Sequence, residues 1–382
     1  MRLLSDSLAK IKDPKVFVGA GKIVLTLWLA ALIAEVAIFV LAPNEIMGWG
    51  EKLALRPDPA FGWRLIESKT TRLRWQGYDY LVTSNSLGFP GPEYPAHKPH
   101  TVYRIMTVGS GFTSAEGVDT DQAWPRVLER ILNQRGTGRT VEVLNFAVTG
   151  FGPSQYAAVV AEYAPIYQPD VIIVALIPND LKKIMTPIST RAGGIGFDLP
   201  SPNGLFSILT CQHLLHSMRN RARKFVYEYI RHRPSPHAYY SFGQIWALEK
   251  GQDDFFDKSH AALEGRLTTT KSVAGEIGSR LVLMLVPASI QVCSPRHLMY
   301  LSKEFSLDDS NRFDLDQPQQ RMAESAAKIG IEHVDLRMVF DQDPDPCPYH
   351  PDNLHWTVVG HRQVAEFIAD WVMVSIGSET SN

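Results

Sequence analysis

The chain has 382 residues, 45% of them hydrophobic and 20% charged, with a formal net charge of −2. That apolar content excludes an intrinsically disordered chain, and the length is ample for one large domain with additions. The near-neutral balance excludes a basic nucleic-acid-binding surface, so no nucleic-acid partner is expected.

Arg2, Lys10, Lys12, Lys15 and Lys22 precede an apolar run, Ile23 to Ala42, broken only by Glu35. A membrane-spanning helix needs about 20 such residues. The core of a cleaved signal peptide is shorter, roughly 7–15 residues, and Pro43 directly follows the Val40 and Ala42 that would suit a peptidase. A buried soluble helix would keep one polar face, and only Glu35 interrupts this run. The expectation is an uncleaved single-pass anchor, with residues 1–22 cytoplasmic and 23–42 spanning. The protein is then placed in the inner (cytoplasmic) membrane with its C-terminal domain periplasmic or extracellular.

Residues 43–100 are rich in proline and glycine and read as a linker lying on the next domain. Within it, Thr71 to Val82 alternates like a strand pair around Gln76-Gly77, which predicts a hairpin. From Tyr103 the pattern becomes regular. Tyr103–Val108, Val141–Val148, Val171–Ile177, Leu281–Val286 and His333–Leu336 are short, continuously apolar runs, as in strands covered on both faces. Helices are predicted between them over Asp121–Gln134, Ser154–Tyr167 and Asp257–Ile277, with another capped by Asp316 and running through Lys328. An amphipathic helix over Val358–Val374 closes the domain, assigned to 101–376, and leaves 377–382 as a tail. Alternating β and α argues for an α/β fold with a doubly wound, mainly parallel, flavodoxin-like sheet and a site at the carboxyl ends of its strands.

Residues 181–256 are too long for a plain connection and read as a lid-like insertion. Its basic stretch Arg219–Arg233 suits a solvated helix face, or contact with anionic glycan or lipid headgroups. Cys211, His213 and His216 fit a helix face better than a metal site, so no metal is expected, and no Gly-rich phosphate loop calls for a cofactor. The three cysteines, Cys211, Cys293 and Cys347, permit one disulfide and a spare thiol outside the cytoplasm, or three unpaired thiols. Cys293 follows a predicted strand and Cys347 precedes the Asp352–His355 segment, which puts both at one edge of the site.

Four segments carry chemistry. Thr107 to Val118 reads TVGSGFTSAEGV, Asn145 to Gly150 reads NFAVTG, Asn179-Asp180 follows a buried run, and Asp352-Asn353-Leu354-His355 precedes the last helix. Acyl transfer at an ester needs a nucleophile, a base, a group that orients the base, and donors for the oxyanion. Gly109-Ser110-Gly111 and Gly150 offer backbone amides, Asn179 a side-chain amide, and Asp352 can fix the tautomer of His355.

In these segments, placed after successive strands in this order, the chain resembles the SGNH (GDSL-type) hydrolase superfamily from about Tyr103 to Val374. That family's first block is matched by Gly109-Ser110-Gly111, and its second-block glycine by Gly150. The third is matched by Ile177-Pro178-Asn179-Asp180 and the last by Asp352 to His355. The region Asn85 to Pro92, followed by Val108–Val118, also looks like membrane-anchored bacterial members linked to envelope polysaccharides. The resemblance implies His355 as base, Asp352 as its orienter, and the N–H groups of Gly111 and Gly150 with Asn179 as the oxyanion hole.

It also implies a nucleophilic serine where this chain has Gly111. Four readings follow: Ser110, Thr113 or Ser114 substitutes; His355 activates water; the site binds without turnover; or the chain is a variant of an active serine parent. The expected function is a membrane-anchored esterase or O-acyl transferase acting on acyl esters of an envelope glycan. The alternative is a catalytically silent protein that binds acylated glycan or serves polysaccharide-assembly proteins as a scaffold.

Overall fold

The computed structural model describes residues 14–41, 54–75, 78–188, 245–298, 309–340, 344–351 and 354–379. Two compact units divide the chain, the first comprising residues 1–49 and 198–231 and the second the rest. Of the first, the described part is one helix, α1 (Pro14–Leu41). It contains most of the apolar run and exposes Ile23, Val24, Leu27, Trp28 and Ile33. Among the described residues, no helix is long and apolar enough to cross a membrane.

The second unit opens with two hairpins. Strands β1 (Leu55–Asp58) and β2 (Gly62–Leu65) pair antiparallel, as do β3 (Thr70–Trp75) and β4 (Tyr78–Thr83). β4 is the second arm of the expected hairpin, with a buried–exposed alternation over its six residues. The β1–β2 pair has no such signature, because its four-residue strands carry Pro57 and Gly62, both poor strand formers. Both hairpins are tied down. Trp63 Nε1 donates to the Thr149 carbonyl at 2.9 Å, and Gln155 Nε2 to that of Phe61 at 2.7 Å. The Leu81 amide donates to Asp119 Oδ1 at 2.7 Å.

Five parallel strands follow: β5 (Val102–Val108), β6 (Thr140–Asn145), β7 (Val171–Leu176), β8 (Arg280–Leu285) and β9 (Glu332–Asp335). Their order in the sheet is β6-β5-β7-β8-β9, the flavodoxin-like winding in which the chain reverses direction between β5 and β7. Every residue of β5 and β7 is buried; β7 is continuously apolar for that reason, whereas β5 carries Thr107 and Arg104, the latter paired with Glu142.

After β5 comes a single turn, α2 (Gly111–Ser114), then α3 (Trp124–Arg135). The expected helix over Asp121–Gln134 breaks at the extended Ala123. Pro125 lacks an N–H, and its ring would collide with the carbonyl one turn earlier. The orphan amide of Trp124 donates instead to His361 Nδ1 at 3.2 Å. The strand expected through Val148 stops at Asn145, whose side chain receives the Ala147 amide and donates to the Thr113 carbonyl. That clamp fixes the β5 turn against the end of β6. Beyond them lie α4 (Pro153–Tyr167), α5 (Asp180–Lys183), α6 (Asp253–Glu276), α7 (Ser289–Val292), α8 (Gln317–Lys328) and α9 (Val358–Glu379). Asp316 sits at the start of α8 but makes no side-chain cap. Asp314 Oδ1 accepts the amides of Asp316 and Gln317, while Asp316 pairs with Arg337.

Tyr103, Ile105, Val143, Ile173 and Met284 face one side of the sheet with Leu128 and Leu132 of α3 and Val364 and Ile368 of α9. Burying each such leucine contributes about 1.5–3 kcal/mol. Helices α4, α6 and α8 pack together in a second group.

Candidate active site

The sheet brings the loops after β5, β6 and β7 to one edge, at the switch point where open α/β sheets bind ligands. β5 ends at Val108 and turns through Gly109 and Ser110. A Cβ on Gly109 would stand 2.5 Å from Thr113 Oγ1 and 3.2 Å from the Cβ of Ala175, so only glycine lets this turn close against β7. The Ser110 carbonyl accepts the amides of Thr113 and Ser114, and Ala115 reverses the chain at φ +74°. The Glu116 amide then donates to the Gly111 carbonyl at 3.0 Å. This reversal folds Glu116 back over Gly111.

His355 arrives from the opposite end of the domain. Tyr349 bridges to Trp356, and the His350 amide donates to the His355 carbonyl at 2.9 Å. The imidazole packs on Phe112 with ring centroids 4.8 Å apart. Upstream, Cys347 is disulfide-bonded to Cys293, which resolves the two arrangements the cysteine count allowed for that pair.

The two segments meet at Gly111. A Cβ there would collide with His355 Nε2 and stand 2.6 Å from Glu116 Oε2. Those two atoms are themselves 3.4 Å apart, with the Glu116 side chain 4% and the His355 side chain 16% exposed. Thr149 holds the carboxylate by a hydrogen bond, and its Oγ1 lies 3.0 Å from Ser114 Oγ. Lys183 donates to the Phe151 carbonyl at 2.7 Å and lies 3.2 Å from Asp180, which is buried against the Tyr156 hydroxyl and the Ile177 amide.

Burial sets the electrostatics. It raises the Glu116 carboxyl to about 7, against the Thr149 hydrogen bond and the charge of Lys183, which favour the anion. Burial, reinforced by Lys183, lowers His355 to about 3. Burial lowers His361 similarly, with help from His355 and His350, and raises Asp180. Burial thus favours the neutral imidazole at ordinary pH, while the Glu116 carboxyl exchanges its proton near neutrality.

The structure therefore brings Gly111 and His355 together as the sequence suggests. Gly150 lies in the turn after β6 at φ +84°, a conformation that favours glycine. Asn179 starts α5, its carbonyl accepting the amides of Lys182 and Lys183. Ser110 is buried in the turn, Thr113 Oγ1 lies beneath Gly109, and Ser114 is engaged by Thr149. Asp352 falls outside the described residues, as do Cys211, His213, His216 and the basic stretch Arg219–Arg233. Sequence reasoning missed Glu116, Thr149 and Lys183. No local pattern marks them: Glu116 stands beyond β5 and α2 in a loop of small residues, where an acid reads as surface.

The profile of the family described as GDSL-like Lipase/Acylhydrolase matches residues 105–368. The chain belongs to this family. No curated protein sequence matches the chain. Among solved structures, this GDSL-like chain is similar to TesA at 14% identity and TM-score 0.39, covering 71% of this chain and 98% of that one. A catalytic mutant of Axe2, an acetylxylan esterase from Geobacillus stearothermophilus, matches at 13% identity and TM-score 0.39, covering 71% and 94%. The psychrotrophic esterase EstA from Pseudoalteromonas sp. matches at 11% identity and TM-score 0.37, covering 73% and 99%. The hydrolase character rests on the family match.

Proposed function

We propose that the chain is a membrane-anchored esterase or O-acyl transferase acting on acyl esters, those of an envelope polysaccharide in particular. The observation that carries this reading is the direction of His355, whose Nε2 faces Gly111, the position to which the family resemblance assigns the reacting hydroxyl. Attack then comes from water or from an acceptor hydroxyl, with Gly111, Gly150 and Asn179 proposed as oxyanion donors and Asp352 as the orienter of His355. Hydrolase and transferase differ only in which acceptor enters. In support of an exported domain, disulfides such as Cys293–Cys347 persist in oxidising compartments. The exposed apolar side chains of α1 support attachment to a membrane.

Full-length protein in mild detergent is expected to hydrolyse a small acetyl ester, and His355→Ala to lower turnover roughly 10²–10⁴-fold. A second reading, a silent binding protein, is favoured by the absence of a hydroxyl at Gly111 and by the filled space beside it. An inert wild type that still binds acetylated glycan selects that reading over the enzyme. Attachment is checked separately. A reporter fused after Asn382 should be active only outside the cytoplasm, and the chain should stay with membranes through an alkaline wash. A soluble chain, or a reporter active in the cytoplasm, rejects the anchor.

A further inference from the structure

Three features lie outside the roles assigned so far. The first is a buried carboxyl, Glu116, directly beside the imidazole. The second is a cavity with room for about one water molecule, lined by Ser114, Glu116 and Thr149 on one side and by Leu73, Tyr80 and Val82 of the hairpin on the other. The third is a chain of hydroxyls, Ser114 to Thr149 to Glu116, that orients the carboxyl.

We propose that Glu116 is the proton acceptor of the reaction: its carboxylate, beside Thr149 and His355 Nε2, activates the attacking water or acceptor hydroxyl beside Gly111. The proposal rests on the ester-cleaving reading above and names the atom that takes the proton when water or an acceptor hydroxyl attacks in place of a serine. Two facts of geometry support it. Glu116 Oε2 stands 2.6 Å from the position of a Cβ on residue 111, so the carboxylate occupies the place a side chain there would take. Its 3.4 Å separation from His355 Nε2 is longer than a hydrogen bond, as catalytic contacts in free enzymes often are before substrate tightens them.

Chemistry points the same way. A carboxyl shut away from water is costly to ionise, and a purely structural position would favour an amide or an apolar group. A general base works best with a proton affinity near the operating pH. In this site Glu116 meets that condition and the buried imidazole does not. The groups facing Glu116 are His355, Thr149 and Ser114, with the Lys183 ammonium and the Tyr80 phenol near enough to couple electrostatically.

The step balances without a covalent enzyme intermediate. The water oxygen forms a bond to the ester carbonyl carbon while its proton passes to Glu116 Oε2. The carbonyl electron pair moves onto oxygen. Collapse breaks the bond to the leaving alkoxide, which takes the proton back from Glu116. Water has added across the ester, and acid and alcohol leave. His355 stays neutral throughout: its one N–H, on Nδ1, is kept for Asp352, and its Nε2 accepts the O–H of Glu116 once the carboxyl holds the proton, which makes it a positioning residue.

The test uses the full-length protein on a small acetyl ester. Glu116→Gln should lower kcat roughly 10²–10⁴-fold with KM changed only a few-fold. The wild-type kcat should rise through an acid limb near pH 7 that the residual activity of E116Q lacks. Glu116→Ala should recover at least ~10-fold when formate is added, a rescue that a structural role would not give. Circular dichroism and melting curves confirm that the variants fold. If E116Q keeps more than about a third of the activity with an unchanged pH profile, while His355→Ala abolishes it, the proposal is overturned and the ester-cleaving reading survives. A wild type that cleaves no ester overturns both.

Discussion

Replacing Glu116 by Gln is expected to stabilise the fold by about 3 kcal/mol at pH 8 and by less than ~1 kcal/mol at pH 5. The carboxyl titrates near 7 in the folded chain against an ordinary value of 4.5. Below about 4.5 it is protonated in both states, and ionisation costs the fold nothing. Between 4.5 and 7 the unfolded chain releases its proton while the folded chain keeps it, so stability falls by about 1.4 kcal/mol per pH unit. Above 7 the penalty is constant, and glutamine removes it because it cannot ionise. Thr149 can still donate to the amide oxygen, so the hydrogen bond is kept. His355, lowered to about 3, contributes the opposite slope: its stability is fully present above about 6.5 and is lost as pH falls towards 3. That slope is common to both proteins and cancels in the difference. Urea unfolding of wild type and E116Q across pH 5 to 8 measures the effect. A variant less stable than wild type at pH 8 would mean the carboxylate anchors the structure. A more stable and less active variant is the trade expected of a group kept for chemistry.

How much of this was legible in the sequence follows from what kind of contact each feature needs. The five parallel strands were readable because burial on both faces leaves an unbroken apolar run, as in Val171–Leu176. Gly109, Gly111, Gly150 and Asn179 were readable as a set because they recur after successive strands. The boundaries failed where one polar side chain decided them. Asn145 ends β6 by bonding its own loop, and Asp314 rather than Asp316 caps α8. The capping of Trp124 by His361 joins residues 237 positions apart, so no local pattern could announce it. Glu116 was hidden for the same reason. A lone acid in a glycine-rich loop reads as surface, and only the tertiary approach of His355 and the hairpin makes it buried. The resemblance drew attention to the serine missing at position 111, and the structure shows which side chains take that space instead.

Gly111→Ser is therefore expected to lower ester turnover at least ~10-fold and to destabilise the fold by about 1–2 kcal/mol. The backbone of Gly111 lies outside the left-handed region, so an L residue meets no torsional strain there. Removing a glycine also stiffens the unfolded chain, a gain of about 0.4–1 kcal/mol. Against this, the new Cβ collides with His355 Nε2 and with Glu116 Oε2, and overpacking of this kind costs about 1–3 kcal/mol. The collision wins, and relief comes only if the ring and the carboxylate swing apart, which dismantles the pair that handles the proton. The double variant Gly111→Ser/Glu116→Ala removes the carboxylate from the hydroxyl's space. It should regain most of the lost stability and bring the serine within reach of His355 Nε2. Its activity should then depend on His355, and the serine should become reactive to a fluorophosphonate that leaves wild type unlabelled. If the single variant instead gains turnover over wild type, the site lacks only a hydroxyl, and Glu116 is a bystander.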